Sequence, residues 1–158
     1  MAVSERSVGV RGILYVLVAV SACAAAALAF AEDNATNAAI DQAFGDHAKY
    51  RAVILSFQKA VAAHDSAAVA ELVSYPISVS IKGRKTTVSN AKAFIANYDA
   101  IMTPDIVSSV TKQKYEDLFV NSHGVMFGNG QVWVDGVCKD NSCKTLDVKI
   151  ITIQRTAR

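Results

Sequence analysis

Two cysteines, Cys138 and Cys143, lie five positions apart in the stretch VCKDNSC and are the first candidates for chemistry in this sequence. Paired thiols can hold a metal, act as a redox centre or form a structural disulfide. A zinc site needs four ligands, usually in closely spaced pairs of Cys or His. A redox centre usually has the Cys-x-x-Cys spacing, which this pair lacks. The choice therefore depends on the compartment in which the protein folds.

The three histidines do not complete a metal site with these cysteines. They are scattered singly along the chain, at His47, His64 and His123. The sequence also contains no nucleophile motif and no phosphate-binding loop. We therefore expect no metal and no cofactor, and we assign no catalytic residue.

The first 31 residues have the pattern of a secretory signal peptide. Arg6 and Arg11 are basic, the run Gly12–Phe30 carries no charge, and Ala29 and Ala31 form a small-x-small pair before an acidic segment. We expect cleavage near Ala31, which would deliver the folded part to the periplasm or to the exterior.

Two other interpretations of this segment stay open. A run of about 20 apolar residues could remain as a membrane anchor, although the Ala-x-Ala ending favours cleavage. The stretch VSAC, Val20–Cys23, resembles the lipobox of bacterial lipoproteins, in which Cys23 would be acylated. We expect a membrane as a partner only if Cys23 is lipidated. In every case the folded part leaves the cytosol.

Export decides the interpretation of the cysteines. In an oxidising compartment two nearby thiols tend to pair. Once Cys23 is removed or lipidated, Cys138 and Cys143 remain as an even pair. We predict a structural disulfide at the tip of a hairpin. Its short loop would contribute about 2 kcal/mol in the chain-entropy model.

Removal of the leader leaves 127 of the 158 residues, which is enough for one domain with one core. It also removes Arg6, Arg11 and Glu5, so the formal charge falls from +2 to +1. A near-neutral domain has no electrostatic footprint for nucleic acid, and we expect no nucleic-acid partner. Residues 32–38 are small and polar and predict a flexible lead-in to a single domain over 39–158.

Helices are predicted for much of the first half of this domain. From about Ala39 to Ala63 apolar residues recur every three or four positions, which predicts a helix with a weak point at Gly45. Asp65 is the expected N-cap of a short helix over Ser66–Val73. Two more helices are expected after the first strands, one capped by Ser89 or Asn90 and one beginning at TPD, 103–105.

The strands are predicted from alternation and turn signals. ISVSI, 77–81, alternates strictly, and TTV, 86–88, begins a return strand. A strand is expected from Leu118, with Gly124 as a bulge or bend, followed by a hairpin turn at GNG, 128–130. QVWVDGV and LDVKIITIQ complete a three-strand meander. This order predicts an α+β fold with helices packed on a curved antiparallel sheet.

The layout resembles that of the nuclear transport factor 2-like superfamily, an α+β cone that includes ketosteroid isomerases and polyketide cyclases. The stretches that carry the resemblance are FQKAVAAHDSAAVAELVSYPISV, AKAFIANYDAIMTPDI and YEDLFVNSHGVMFGNGQVWVDGVC. They look like small secreted bacterial domains of undefined role. The resemblance implies a cone-shaped cavity and a homodimer formed through the open sheet face. It implies no single function, because this fold hosts enzymes, binding modules and scaffolds.

A cone-shaped cavity would make inward-facing polar and aromatic residues the default binding site. The pocket candidates are Tyr50, Tyr98, Asp99, Asp117, His123 and Trp133. Several also have a purely structural interpretation. Tyr50 and Tyr98 could be core aromatics, and His123 could be a satisfied edge histidine. Asp117 could cap a turn, and Trp133 could face a pocket or a subunit interface.

These residues favour a secreted binding module for a small apolar or amphipathic ligand or for a protein partner. The alternative is a cofactor-free isomerase or cyclase with Asp99 or Asp117 as base and Tyr98 or Tyr50 as oxyanion donor. Neither aspartate aligns with the family's catalytic position, so no catalytic role is carried over. A third interpretation is an envelope inhibitor or immunity-type protein that uses the basic tip KGRK, 82–85.

Overall fold

The computed structural model describes residues 35–155. The predictions of cleavage near Ala31 and of lipidation at Cys23 lie outside the described residues. The helices are α1 (35–44), α2 (His47–Ala62), α3 (Ser66–Leu72), α4 (Ala91–Ala96), α5 (Tyr98–Ile101) and α6 (Pro104–Lys112), with a 3₁₀ turn at Tyr115–Asp117. The strands are β1 (Ile77–Ile81), β2 (Arg84–Val88), β3 (Phe119–Asn121), β4 (Gly124–Phe127), β5 (Val132–Cys138) and β6 (Leu146–Ile153).

The long first helix is interrupted, so the prediction of one helix over 39–63 is wrong. Gly45 has φ +86°, a conformation that L side chains rarely adopt, and it separates α1 from α2. Asp46 then caps α2 by accepting a hydrogen bond from the Lys49 N–H. Asp41 bridges the break, because its carboxylate accepts the His47 N–H at 2.8 Å and meets His47 Nδ1 at 2.7 Å.

Residues 35–38, expected to belong to a flexible lead-in, lie in α1. Thr36 is buried, and its hydroxyl donates to the Glu116 carbonyl at 3.0 Å. Tyr115 donates in turn to the Asn37 side chain at 2.9 Å. These two hydrogen bonds hold α1 against the 3₁₀ turn, although Thr36 and Glu116 are 80 positions apart in the sequence.

The strands form two antiparallel sheets, one of β1 and β2 and one with the order β3-β4-β5-β6. The prediction of one strand from Leu118 to Phe127 is wrong, because β3 and β4 form a hairpin there. Gly124 begins β4 with φ +125°, and a Cβ at this position would lie 2.5 Å from the Val134 carbonyl oxygen. Only glycine allows this close approach, so the predicted bend becomes a strand reversal.

The α+β prediction is confirmed, with helices packed on the inner face of the four-stranded sheet. That face presents the cross-strand rows Val125–Val134–Ile150 and Phe127–Val132–Ile153, all buried. From α2, Phe57 packs on Phe127 with ring centroids 6.0 Å apart. The space beneath this part of the sheet is thus occupied by side chains.

A bulge in β6 changes the face that its residues occupy. Val134 pairs with Ile150, but Trp133 pairs with Thr152, so Ile151 is an extra residue. In a regular strand, alternation would place Thr152 on the same face as Val148 and Ile150. Instead Ile153 is the next buried residue after Ile150, and Thr152 lies beside Trp133 on the opposite face.

Candidate binding cleft

A cleft of about 700 Å³ lies between the first half of α2 and the end of the β5–β6 hairpin. One wall comes from α1 and α2, and the other from the hairpin loop and the start of β6. The lining residues are Phe44, Asp46, Lys49, Tyr50, Ala52, Val53, Leu72, Lys139, Cys143, Lys144, Thr145, Leu146, Asp147, Val148 and Lys149. This volume lies in the range that holds a small-molecule ligand.

The middle of the cleft is apolar. Phe44 stacks on Tyr50 with ring centroids 4.9 Å apart and planes 18° from parallel. The facing wall adds Leu146 and Val148, and Leu72 extends the surface from the end of α3. Leu146 keeps 40% of its surface exposed within this concavity. An accessible apolar surface inside a concavity is a typical property of a ligand site.

The rim of the cleft is charged. Lys49 pairs with Asp46 at 3.0 Å, and Lys139 pairs with Asp147 at 2.9 Å. Lys149 donates to the backbone carbonyl of Glu71 at 2.8 Å. The lysine-rich rim above an apolar middle makes the cleft amphipathic.

The disulfide predicted between Cys138 and Cys143 is confirmed, with Cα atoms 4.7 Å apart. It closes the loop that joins β5 to β6, as expected for a hairpin tip. The Asp140 carboxylate accepts hydrogen bonds from the Ser142 N–H at 2.8 Å and its hydroxyl at 2.6 Å, which lowers the pKa of Asp140. The stiffened loop supplies one wall of the cleft, including Lys144.

Tyr50 meets a carboxylate that the sequence did not suggest. Its hydroxyl donates to Asp135 Oδ1 at 3.1 Å, and the same oxygen accepts the Gly136 N–H at 2.7 Å. Burial raises the pKa of Tyr50, and the Asp135 charge adds to the shift. Gly136 leaves room for this contact, since a Cβ there would lie 3.3 Å from the Tyr50 hydroxyl. A glycine within a strand was the signal for such a close approach.

Tyr98 and Asp99, neighbours in sequence, occupy very different environments. Tyr98 is 4% exposed, and its hydroxyl has no hydrogen-bond partner within the described chain. Burial raises the pKa of Tyr98, with smaller contributions from the charges of Asp99 and Asp65. The Asp99 side chain is 83% exposed and lies 3.1 Å from His64 Nε2. This carboxylate is therefore in solvent rather than in an apolar cavity.

The remaining three candidates lie apart from the cleft. Asp117 is exposed at the end of the 3₁₀ turn, and His123 is exposed in the β3–β4 turn. Trp133 is half-buried on the outer face of the sheet, between Met126 of β4 and Thr152 of β6. Of the six sequence candidates, Tyr50 is among the residues that line this cleft, and the structure does not gather the other five around it.

Within residues 35–155, no group of three or more His, Cys, Asp or Glu side chains is arranged to hold a metal ion. The helices in this part of the chain are also too short or too polar to cross a membrane. No protein-family model matches the chain, and neither a curated protein nor a solved structure matches it.

Proposed function

We propose that this protein is an exported binding module that takes a small amphipathic ligand into the cleft between α2 and the β5–β6 hairpin. The observation that carries the proposal is the combination of an accessible apolar middle, with Phe44, Val53 and Leu146, and a charged rim in one concavity. Ligand sites usually join a large apolar surface to a few convergent polar groups. The cleft has this composition and a suitable volume.

Export and membership of the nuclear transport factor 2-like superfamily belong to the same proposal. The disulfide supports export, because such bonds persist in oxidising compartments. The element order, with helices and a small hairpin before a larger antiparallel sheet, supports the superfamily. A homodimer through the open sheet face is supported by Phe119, which is 51% exposed in the same cross-strand row as Met126 and Trp133.

The isomerase or cyclase alternative receives less support. Its two proposed bases, Asp99 and Asp117, are exposed and lie outside the lining of the cleft, so neither faces an apolar cavity. The pair that lies closest to such a site is Tyr50 and Asp135. There the hydroxyl already donates to the carboxylate, so neither group is free for a substrate in this arrangement. Binding without catalysis is the simpler use of the cleft.

Binding of the neutral fluorescent probe 1-N-phenylnaphthylamine tests the proposal. We expect saturable binding to the wild-type chain and roughly five- to thirtyfold weaker binding to Leu146→Gln, because one apolar side chain contributes about 1–2 kcal/mol of contact. Leu55→Gln is the matched control, since Leu55 is also 40% exposed but lies outside the lining of the cleft. Absence of saturable binding, or equal loss in both variants, would contradict the proposal.

A further inference from the structure

The lining of the cleft carries a net positive charge, as does the basic tip 82–85. Residues 35–155 contain ten lysines and three arginines against eleven acidic residues, a formal excess of +2. The lining of the cleft alone contains four lysines and two aspartates, which is also an excess of +2. The rest of the described chain is therefore balanced. Such a local excess beside low-dielectric walls attracts anions.

Two of the four lysines lack a carboxylate partner within residues 35–155. Lys49 and Lys139 are neutralised by Asp46 and Asp147. Lys149 is held by a backbone carbonyl, which positions its ammonium group without cancelling the charge. Lys144 has no ion pair to any described residue, and it directly follows Cys143 of the disulfide loop.

From this charge distribution we infer that the ligand is an anionic amphiphile: an apolar body that lies on Phe44, Val53 and Leu146, with one anionic head at Lys144 and Lys149. The inference rests on the proposed binding function and adds the sign of the ligand's charge. A polyanion would leave the apolar middle of the cleft uncovered. A cationic head group would be repelled by the ammonium groups of Lys144 and Lys149. A single carboxylate or a similar head group on an aliphatic or ring body satisfies both parts of the cleft.

Displacement of 1-N-phenylnaphthylamine by ligands of equal chain length tests this inference. The competitors are dodecanoate and dodecyltrimethylammonium, each below its micellar concentration, and 1-dodecanol below its solubility limit. We expect the wild-type chain to bind dodecanoate about five- to tenfold tighter than dodecanol, because each partly exposed ion pair contributes a factor of about two to five. Dodecyltrimethylammonium should bind most weakly, and added salt should reduce the differences.

Variants locate the head group. K144Q/K149Q should bind dodecanoate and dodecanol equally, with dodecanol affinity unchanged. K85Q/K92Q removes the same charge from exposed positions outside the cleft and should keep the preference for dodecanoate.

The outcomes separate the two proposals. The wild-type chain could bind dodecanoate and dodecanol equally while Leu146→Gln still weakens binding of the probe. That result would overturn the inference of an anionic head group and leave the proposed binding function intact. A preference for dodecanoate that survives in K144Q/K149Q would overturn the assignment of the two lysines. If neither the probe nor any competitor binds, the binding module and the inference both fail.

Discussion

At the scale of single residues, two tyrosine hydroxyls provide a matched pair. The Tyr50 hydroxyl donates to Asp135, whereas the Tyr98 hydroxyl is buried without a partner in the described chain. A hydrogen bond contributes about 1 kcal/mol to folding, while an unsatisfied buried donor costs free energy. The two hydroxyls should therefore affect stability in opposite directions.

We predict that Tyr50→Phe lowers the free energy of unfolding by about 1 kcal/mol, and that Tyr98→Phe leaves it unchanged or raises it slightly. Chemical denaturation of both variants beside the wild-type chain measures the difference. Equal losses would show that Tyr98 has a partner such as an ordered water.

Single residues also show where the sequence was insufficient. A glycine inside a strand, such as Gly136, can indicate a close approach, but nothing in the sequence identifies Tyr50 as the neighbour, because 85 positions separate Tyr50 from Asp135. The lysines of the cleft were missed for the same reason. Each looks like an ordinary solvated charge until the fold places Lys49 of α2 opposite Lys149 of β6.

At the scale of elements, the disulfide loop joins stability to the shape of the cleft. We predict that C138S/C143S lowers the free energy of unfolding by about 2 kcal/mol, because the unfolded chain regains the freedom of a short closed loop. A reducing agent should lower the stability of the native chain by a similar amount in denaturant titrations and leave the variant unaffected. An effect of the reducing agent on C138S/C143S would contradict this explanation.

Most helices and strands could be predicted because alternation and capping residues within each segment are enough to specify them. The alternation in 77–81 gave β1 with its observed bounds, and Asp65 and Asn90 cap α3 and α4 as expected. The failures arose where long-range packing decides. Gly124 was expected to bend one strand, but the proximity of Val134 on β5 makes it the start of β4.

At the scale of the whole molecule, the response to acid follows from several carboxylates. Hydrogen bonds to His47 lower the pKa of Asp41 below its ordinary value of 3.8, and Lys49 does the same for Asp46. The pKa values of Glu116 and Asp140 are lowered as well. The folded state therefore binds fewer protons than the unfolded state near these values.

We predict that the free energy of unfolding is constant between about pH 5 and pH 8 and decreases as the pH falls through 4 toward the lowered pKa values. Denaturant titrations at pH 6 and pH 3 measure the decrease. Asp41→Asn should reduce the difference between the two conditions, because one of the contributing carboxylates is gone. A chain more stable at pH 3 than at pH 6 would contradict the prediction.

The fold class was predictable as a whole because the order of helices and strands was readable from periodicity. The cleft was not, since it forms between α2 and a hairpin loop about 90 positions later. The cone-shaped cavity expected under the sheet stays a prediction. Phe57 packs on Phe127 of the inner rows of the sheet, and the described cleft lies at the sheet's end.

The extra residue in β6 has a consequence for how this chain could tolerate length changes. Ile151 has no cross-strand partner, so deleting it would let Ile150, Thr152 and Ile153 alternate regularly in the same orientations that they have now. Deleting Lys149 would instead turn Ile150 to the outer face of the sheet. A one-residue gap at position 151 is therefore compatible with an intact core, even though it falls inside a strand rather than in a loop.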